Sequence, residues 1–194
     1  MGLRPFPADW LLKALPILLL GAYAAKVGRG RVRGILIAAL AMSALGDVLL
    51  ALDGLFLPGL GAFLVAQLCY AGLFFSQSER SPRGWMWAIG VVMLVASVGA
   101  GILPQAGEMA LPVGGYMLAI STMAIGAGFR RDPEFWWVGL GALVFVASDS
   151  LIAVNTFVQP FGLADLAVMV TYYLAQGLMV FGVLGAEGLS GPRS

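Results

Sequence analysis

Apolar residues along this chain come in runs of roughly twenty, and each run is closed by a short cluster of glycine, proline or charge. A bilayer span needs roughly 17 to 25 apolar residues. That ruler predicts seven helices, at about residues 10–25, 34–52, 60–77, 85–103, 111–129, 136–154 and 163–185. The expected fold is therefore all-α, a polytopic transmembrane helix bundle forming one integral membrane domain over residues 1–194. The first segment is too polar at its start for a typical cleaved signal peptide, and no small-residue cleavage site follows it, so it is read as a helix.

Composition agrees with the pattern. Of 194 residues, 60% are hydrophobic and 11% charged, and the mean hydropathy is +0.94, whereas soluble domains carry about 25% charged residues. Eleven basic against ten acidic residues leave no excess for a nucleic-acid surface. The single cysteine, Cys69, excludes an intrachain disulfide, and the absence of histidine excludes an imidazole base or metal ligand. No cofactor and no metal site are implied, and no protein partner can be read.

Charge placement sets an orientation. Lys26, Arg29, Arg31 and Arg33 join the first two segments, Glu79, Arg80 and Arg83 the third and fourth, and Arg130 and Arg131 the fifth and sixth. With Arg193, nine of the 11 basic residues fall on one side, against Arg4 and Lys13 on the other. By the positive-inside rule the N-terminus is expected outside and the C-terminus in the cytoplasm, with a bacterial cytoplasmic membrane as the expected location. Trp85, Trp87, Trp136 and Trp137 read as interfacial residues on the cytoplasmic side.

Two acids break the apolar runs. Asp47 opens Asp47-Val48-Leu49-Leu50-Ala51-Leu52-Asp53, and Asp149 opens the similar Asp149-Ser150-Leu151-Ile152-Ala153-Val154-Asn155. A charged side chain at mid-membrane costs about 2.5 to 3.5 kcal/mol on insertion scales, so it is rarely kept without a partner or a task. The two lie 102 residues apart, as do the starts of their segments, so both are expected at one depth, within about 10 Å of the outer helix ends. The offset also fits a parallel repeat of three helices, a linker helix and three helices. Two carboxyls in one low-dielectric pocket do not readily ionise together, so one can hold a proton while the other is charged. Such a pair supplies a general acid and a general base. The plainer alternative is an interhelical hydrogen bond made by a protonated acid.

Other polar groups cluster near that depth. Ser43 is one turn from Asp47 and shares its face, where it either binds the carboxylate or bonds back to its own helix. Gln67 stands at a similar depth, as site residue or as polar glue between helices. Tyr70, Tyr116, Tyr172, Tyr173 and Gln176 can face a substrate, although tyrosines are common in membrane helices for packing and interface reasons. Asn155, with Asp53 and Asp165, falls at an outer helix end, where capping or solvation also accounts for it. Lys13 can snorkel to the outer interface or meet a lipid phosphate.

At these residues the chain resembles the YhhN-like lysoplasmalogenase family of bacterial and animal membranes. The resemblance is carried by Leu45-Gly46-Asp47, by Gly61-Ala62-Phe63-Leu64 with Gln67 and Tyr70, by Ser148-Asp149-Ser150-Leu151 with Asn155 and Phe157, and by Tyr172-Tyr173-Leu174-Ala175-Gln176. Lys13 with Pro16 is similar to a Lys-Pro near the start of a family helix, with two residues intervening here. Many relatives have histidine where Gln67 stands, so the resemblance carries no acid–base role to that position. Many also have one more N-terminal helix, which would make eight. The resemblance implies hydrolysis of the vinyl ether of a lysoplasmalogen, a lysophospholipid in the bilayer, with Asp47 and Asp149 catalytic and Lys13, Ser43, Gln67, Tyr70, Tyr116, Ser148, Asn155, Tyr172, Tyr173 and Gln176 around the substrate.

Two rival readings fit the same residues. A proton-coupled transporter of a lipid or small molecule would place the aspartates at a pivot between helix repeats. It should carry polar lining through the cytoplasmic half, yet residues 35–42 and 136–147 are apolar throughout. An inert lipid-binding scaffold is the other, and it would tolerate asparagine at both aspartates.

Overall fold

The computed structural model describes residues 9–130 and 135–189. Among the described residues seven α-helices follow one another: α1 (Asp9–Val27), α2 (Gly30–Leu50), α3 (Phe56–Phe75), α4 (Pro82–Ile102), α5 (Ala110–Gly128), α6 (Phe135–Ala153) and α7 (Ala164–Leu189). Each coincides with one predicted segment. The six helices from α2 to α7 are long and apolar enough to cross a bilayer, while α1 has 19 residues and carries Pro16. This is a multi-pass membrane protein. Arg4, Arg131 and Arg193, three of the charges used to orient it, lie outside the described residues.

Sequence explains where helices begin and bend. α4 starts at Ser81-Pro82: the serine Oγ accepts the Gly84 N–H at 3.1 Å, and proline at the first helical position gives up no hydrogen bond. α6 ends in a π-helical turn, Val154–Val158, before Pro160. The Asn155 Oδ1 accepts the Phe161 N–H at 3.1 Å and so ties down the crossing to α7.

Packing runs α1–α2–α3–α5–α6–α7 and back to α1, a closed ring of six helices, with α4 set outside against α5 and α6. The basic joins meet at one end. The Glu79 N–H donates to the Phe129 carbonyl at 2.7 Å, and the Arg83 guanidinium to the Arg130 carbonyl at 2.8 Å, tying the α3–α4 join to the α5–α6 join. Arg130 is fully buried there, with Nη2 3.1 Å from the Gln77 Oε1. Trp85, Trp136 and Trp137 are exposed around this end, but Trp87 turns inward and donates to the Ala124 carbonyl at 2.8 Å.

Lipid tails are as apolar as leucine, so helices in a membrane associate through close packing and not through hydrophobic transfer. The α6–α7 seam, among the most extensive, shows how. A Cβ at Gly141 would stand 2.9 Å from the Ala175 carbonyl oxygen and 2.8 Å from the Met179 Cγ. We expect Gly141→Leu to force this seam apart and to cost about 1–3 kcal/mol or more. Thermal unfolding in detergent checks this against Gly90→Leu, at a glycine with nothing within 4 Å. Equal melting of the two variants would refute the close-packing account.

Candidate active site

Asp47 stands three residues before the end of α2, and Asp149 four before the end of α6. Both therefore lie within about one helical turn of the same end of the ring, at matched depth. α2 and α6 are not among the helix pairs that pack extensively, and the space left between them near that end is a cavity. It holds about 800 Å³, its open mouth included, and both aspartates line it.

Each acid is held by a tyrosine from another helix. The Tyr172 hydroxyl on α7 donates to the Asp47 Oδ2 at 3.0 Å. The Tyr116 hydroxyl on α5 donates to the Asp149 Oδ2 and accepts from the Gln67 Nε2 on α3 at 3.2 Å. A further chain runs through the middle of the ring. The Tyr70 hydroxyl donates to the Gln176 Oε1 at 2.6 Å, and the Gln176 Nε2 donates to the Ser43 Oγ at 3.1 Å. The Gln67 Oε1 is buried with no hydrogen-bond partner among the described residues.

Aromatic packing fixes the walls. The Phe63 ring meets Phe145 edge-on at 6.5 Å and Tyr172 at 5.8 Å between centroids, and Phe145 meets Tyr172 at 5.6 Å. Edge-to-face pairs of this kind are favoured by the ring quadrupole. Gly46 makes the arrangement fit, since a side chain there would run into the Phe63 ring. The Leu45-Gly46-Asp47 and Gly61-Ala62-Phe63-Leu64 sequences are thus two halves of one contact.

The other expected site residues fall into two groups. Lys13, Asn155, Tyr172 and Tyr173 line the cavity with the aspartates. The Tyr173 hydroxyl also donates to the Lys13 backbone carbonyl at 2.9 Å, tying α7 to α1. Ser43, Gln67, Tyr70 and Gln176 are buried behind the walls of this cavity, in the hydrogen-bond chains just described. Ser148 is also buried away from it, with its Oγ donating to the Val168 carbonyl at 3.2 Å across the α6–α7 seam. Asp165, read from sequence as a solvated helix end, also lines the cavity, as do Phe63 and Met169. Its place three residues before Val168 and seven before Tyr172 on α7 is the signal that could have found it. Among the described residues no group of three or more histidine, cysteine or acidic side chains is gathered as for a metal ion.

Comparison with known proteins bears on what such a cavity is for. The sequence model of the YhhN family matches residues 8–183. A Mycobacterium bovis protein named lysoplasmalogenase is 39% identical over 155 residues, covering 75% of this chain and 59% of that protein. The Homo sapiens protein named lysoplasmalogenase TMEM86B is 33% identical over 180 residues, covering 90% of this chain and 74% of that one. Homo sapiens lysoplasmalogenase TMEM86A is 32% identical over 184 residues, covering 87% and 75%. The chain spans 59% of the length of the mycobacterial relatives it matches. No solved structure matches it. A match running from α1 into α7, together with bacterial and mammalian relatives 39% and 33% identical over the aligned residues, makes this chain a member of the YhhN family.

Proposed function

We propose that this protein is a lysoplasmalogenase, hydrolysing the vinyl ether of a lysoplasmalogen to a fatty aldehyde and a glycerophospho-alcohol. The observation that carries the reading is the pair of aspartates, from α2 and α6, in the wall of one cavity. The names of the relatives support it. A vinyl ether is stable to base and opens when the carbon β to oxygen is protonated, so a buried acid with a second carboxyl beside it suits the bond.

One carboxylic acid gives its proton to that carbon, and the oxocarbenium ion formed is stabilised by the other, ionised carboxylate, the solution glycosidases also use. Water adds to the cationic carbon and passes a proton to that carboxylate, leaving a hemiacetal. The hemiacetal hydroxyl then returns a proton to the first acid as the carbon–oxygen bond breaks. The departing glycerol oxygen takes the proton held by the second. Both carboxyl groups finish as they began, and one water is consumed. Tyr116 and Tyr172 hold the two acids in position throughout, and Lys13 in the same wall offers its charge to the phosphate.

Hydrolysis is favoured over transport by what lies beyond the site. Past Ser43 and Gln176 the ring is filled by Leu36, Leu40, Phe74, Met123 and Met179, all at most 2% exposed. A one-ended polar cavity suits a reaction with water and not a path through the membrane. We place that cavity at the outer face of the cell membrane.

Two outcomes are expected. Asp47→Asn and Asp149→Asn, made separately and folded like the wild type, should each lower aldehyde release from purified protein by about 10²- to 10⁴-fold. Tyr116→Phe and Tyr172→Phe should cost less, about tenfold. Absence of aldehyde from well-folded wild type, or full activity in either asparagine variant, rejects the mechanism. For orientation, in a Cys69→Ser background, Leu163→Cys should react with a membrane-impermeant maleimide on intact cells. Glu79→Cys should react only after permeabilisation, and the reverse pattern overturns the placement.

A further inference from the structure

A second cleft adjoins the first. It occupies about 700 Å³, its open side included, between α3, α4, α5 and α6, and its wall is almost wholly hydrocarbon. Leu50, Phe63, Asp149 and Ile152 belong to the walls of both. Tyr116, the residue that holds Asp149, lines the apolar cleft, whereas Asp47 and Lys13 line the polar cavity alone of the two. Asp149 thus stands on the boundary between a hydrocarbon compartment and a polar one.

We infer that the apolar cleft holds the alkenyl chain of the lysolipid, and that the face of α4 carrying Val95, Val98 and Ile102 sets the chain length accepted. The inference rests on the lysoplasmalogenase reading, because a vinyl ether is the bond at which a lysolipid changes from hydrocarbon to polar glycerol. A site that cuts there needs a compartment for each side and an acid where they meet. The cleft is elongated along the helices. Val95 on α4 and Ile120 on α5 stand seven residues deeper than Ile102 and Val113, which is roughly 10 Å of helix. On α5 the lining residues Val113, Tyr116, Met117 and Ile120 recur at helical spacing, so one continuous face is given to the cleft. Neighbouring apolar residues face outward instead: Val92 is 52% exposed, Met93 65% and Leu118 72%.

Lipid offers a chain the same apolarity as this cleft does, so the gain from entering it lies in shape and in alignment of the ether with Asp149. Chain-length preference is then a matter of fit, and filling the cleft should change it.

The test uses a non-hydrolysable alkyl-ether lysolipid with a diazirine at the end of its chain, photolysed on wild-type protein in mixed micelles. Crosslinks are expected on Val95, Val98, Met117 or Ile120. Crosslinks confined to outward residues such as Val92 and Leu118, or to α1 and α7 around the polar cavity, overturn the inference. In a second measurement Val98→Trp should lower kcat/KM for long-chain substrate at least tenfold and shift preference toward shorter chains. Leu118→Trp, on the lipid-facing side of α5, should leave the chain-length profile as it is. An unshifted profile in Val98→Trp, with the variant folded, also counts against the inference. Crosslinking needs no turnover, so the two readings separate. Crosslinks in the cleft without aldehyde release leave the chain site standing and sink the lysoplasmalogenase reading; aldehyde release with crosslinks elsewhere does the opposite.

Discussion

A carboxyl group placed between membrane helices has no bulk water to satisfy it, and an unpaired polar group in such a place costs several kcal/mol. Here the partners of Asp47 and Asp149 come from other helices, a tyrosine from α7 and a tyrosine from α5. Those tyrosines are in turn set by their surroundings, with Gln67 of α3 donating to Tyr116 and the Phe63 and Phe145 rings packed on Tyr172. Five helices of the ring are therefore fixed in rotation by polar or aromatic contacts around two acids. A slip of one residue in any of them would point a donor or a carboxylate at hydrocarbon. The polar centre specifies the arrangement, and glycines such as Gly46 and Gly141 let the backbones come close enough to reach it.

The helices themselves were legible because apolar runs of spanning length, broken by glycine, proline and charge, have few other readings. The shared depth of the aspartates was legible too, from two short patterns at equal offsets in their segments. Rotation was not. In a soluble bundle the polar face of each helix shows which side is buried, but here lipid-facing and core-facing residues are equally apolar. Leu45 is 45% exposed and Leu36 fully buried, and nothing in their chemistry separates them. For the same reason sequence could gather Ser43, Gln67, Tyr70 and Gln176 near the site without showing that they stand behind its wall. Trp87, read with the interfacial tryptophans, packs inward because Gly128 of α5 leaves room against its ring. The apolar cleft left no mark at all, since Val95 and Val92 differ only in the way they face.

Depth also decides what chemistry the pair can do. Hydrolysis needs water at the reacting carbon, yet general acid catalysis gains from a site where water does not swamp the acid. One turn from the helix ends is a position between those demands. The polar cavity reaches outward past Asn155 to Asp165 and can admit water, while the apolar cleft runs past Asp149 to Val146, where hydrocarbon excludes it. Had both acids lain at the middle of their helices, water would have had to cross the packed aromatic layer. Had they lain in the loops, bulk solvent would have levelled the difference between them.

This placement makes the two acids unequal even though their sequences look alike. Asp149 borders the apolar cleft and is held there by a tyrosine that itself accepts from Gln67. Asp47 shares the polar cavity with Lys13 and receives one tyrosine. A lysolipid seated with its chain in the cleft would carry its vinyl carbons past Asp149 first, and water would arrive from the side of Asp47. The similar Asp-x-Leu-x-Ala surroundings go with a common depth, and on the proposed mechanism a difference in role would follow from Asp149 lining both compartments and Asp47 only the polar one of the two.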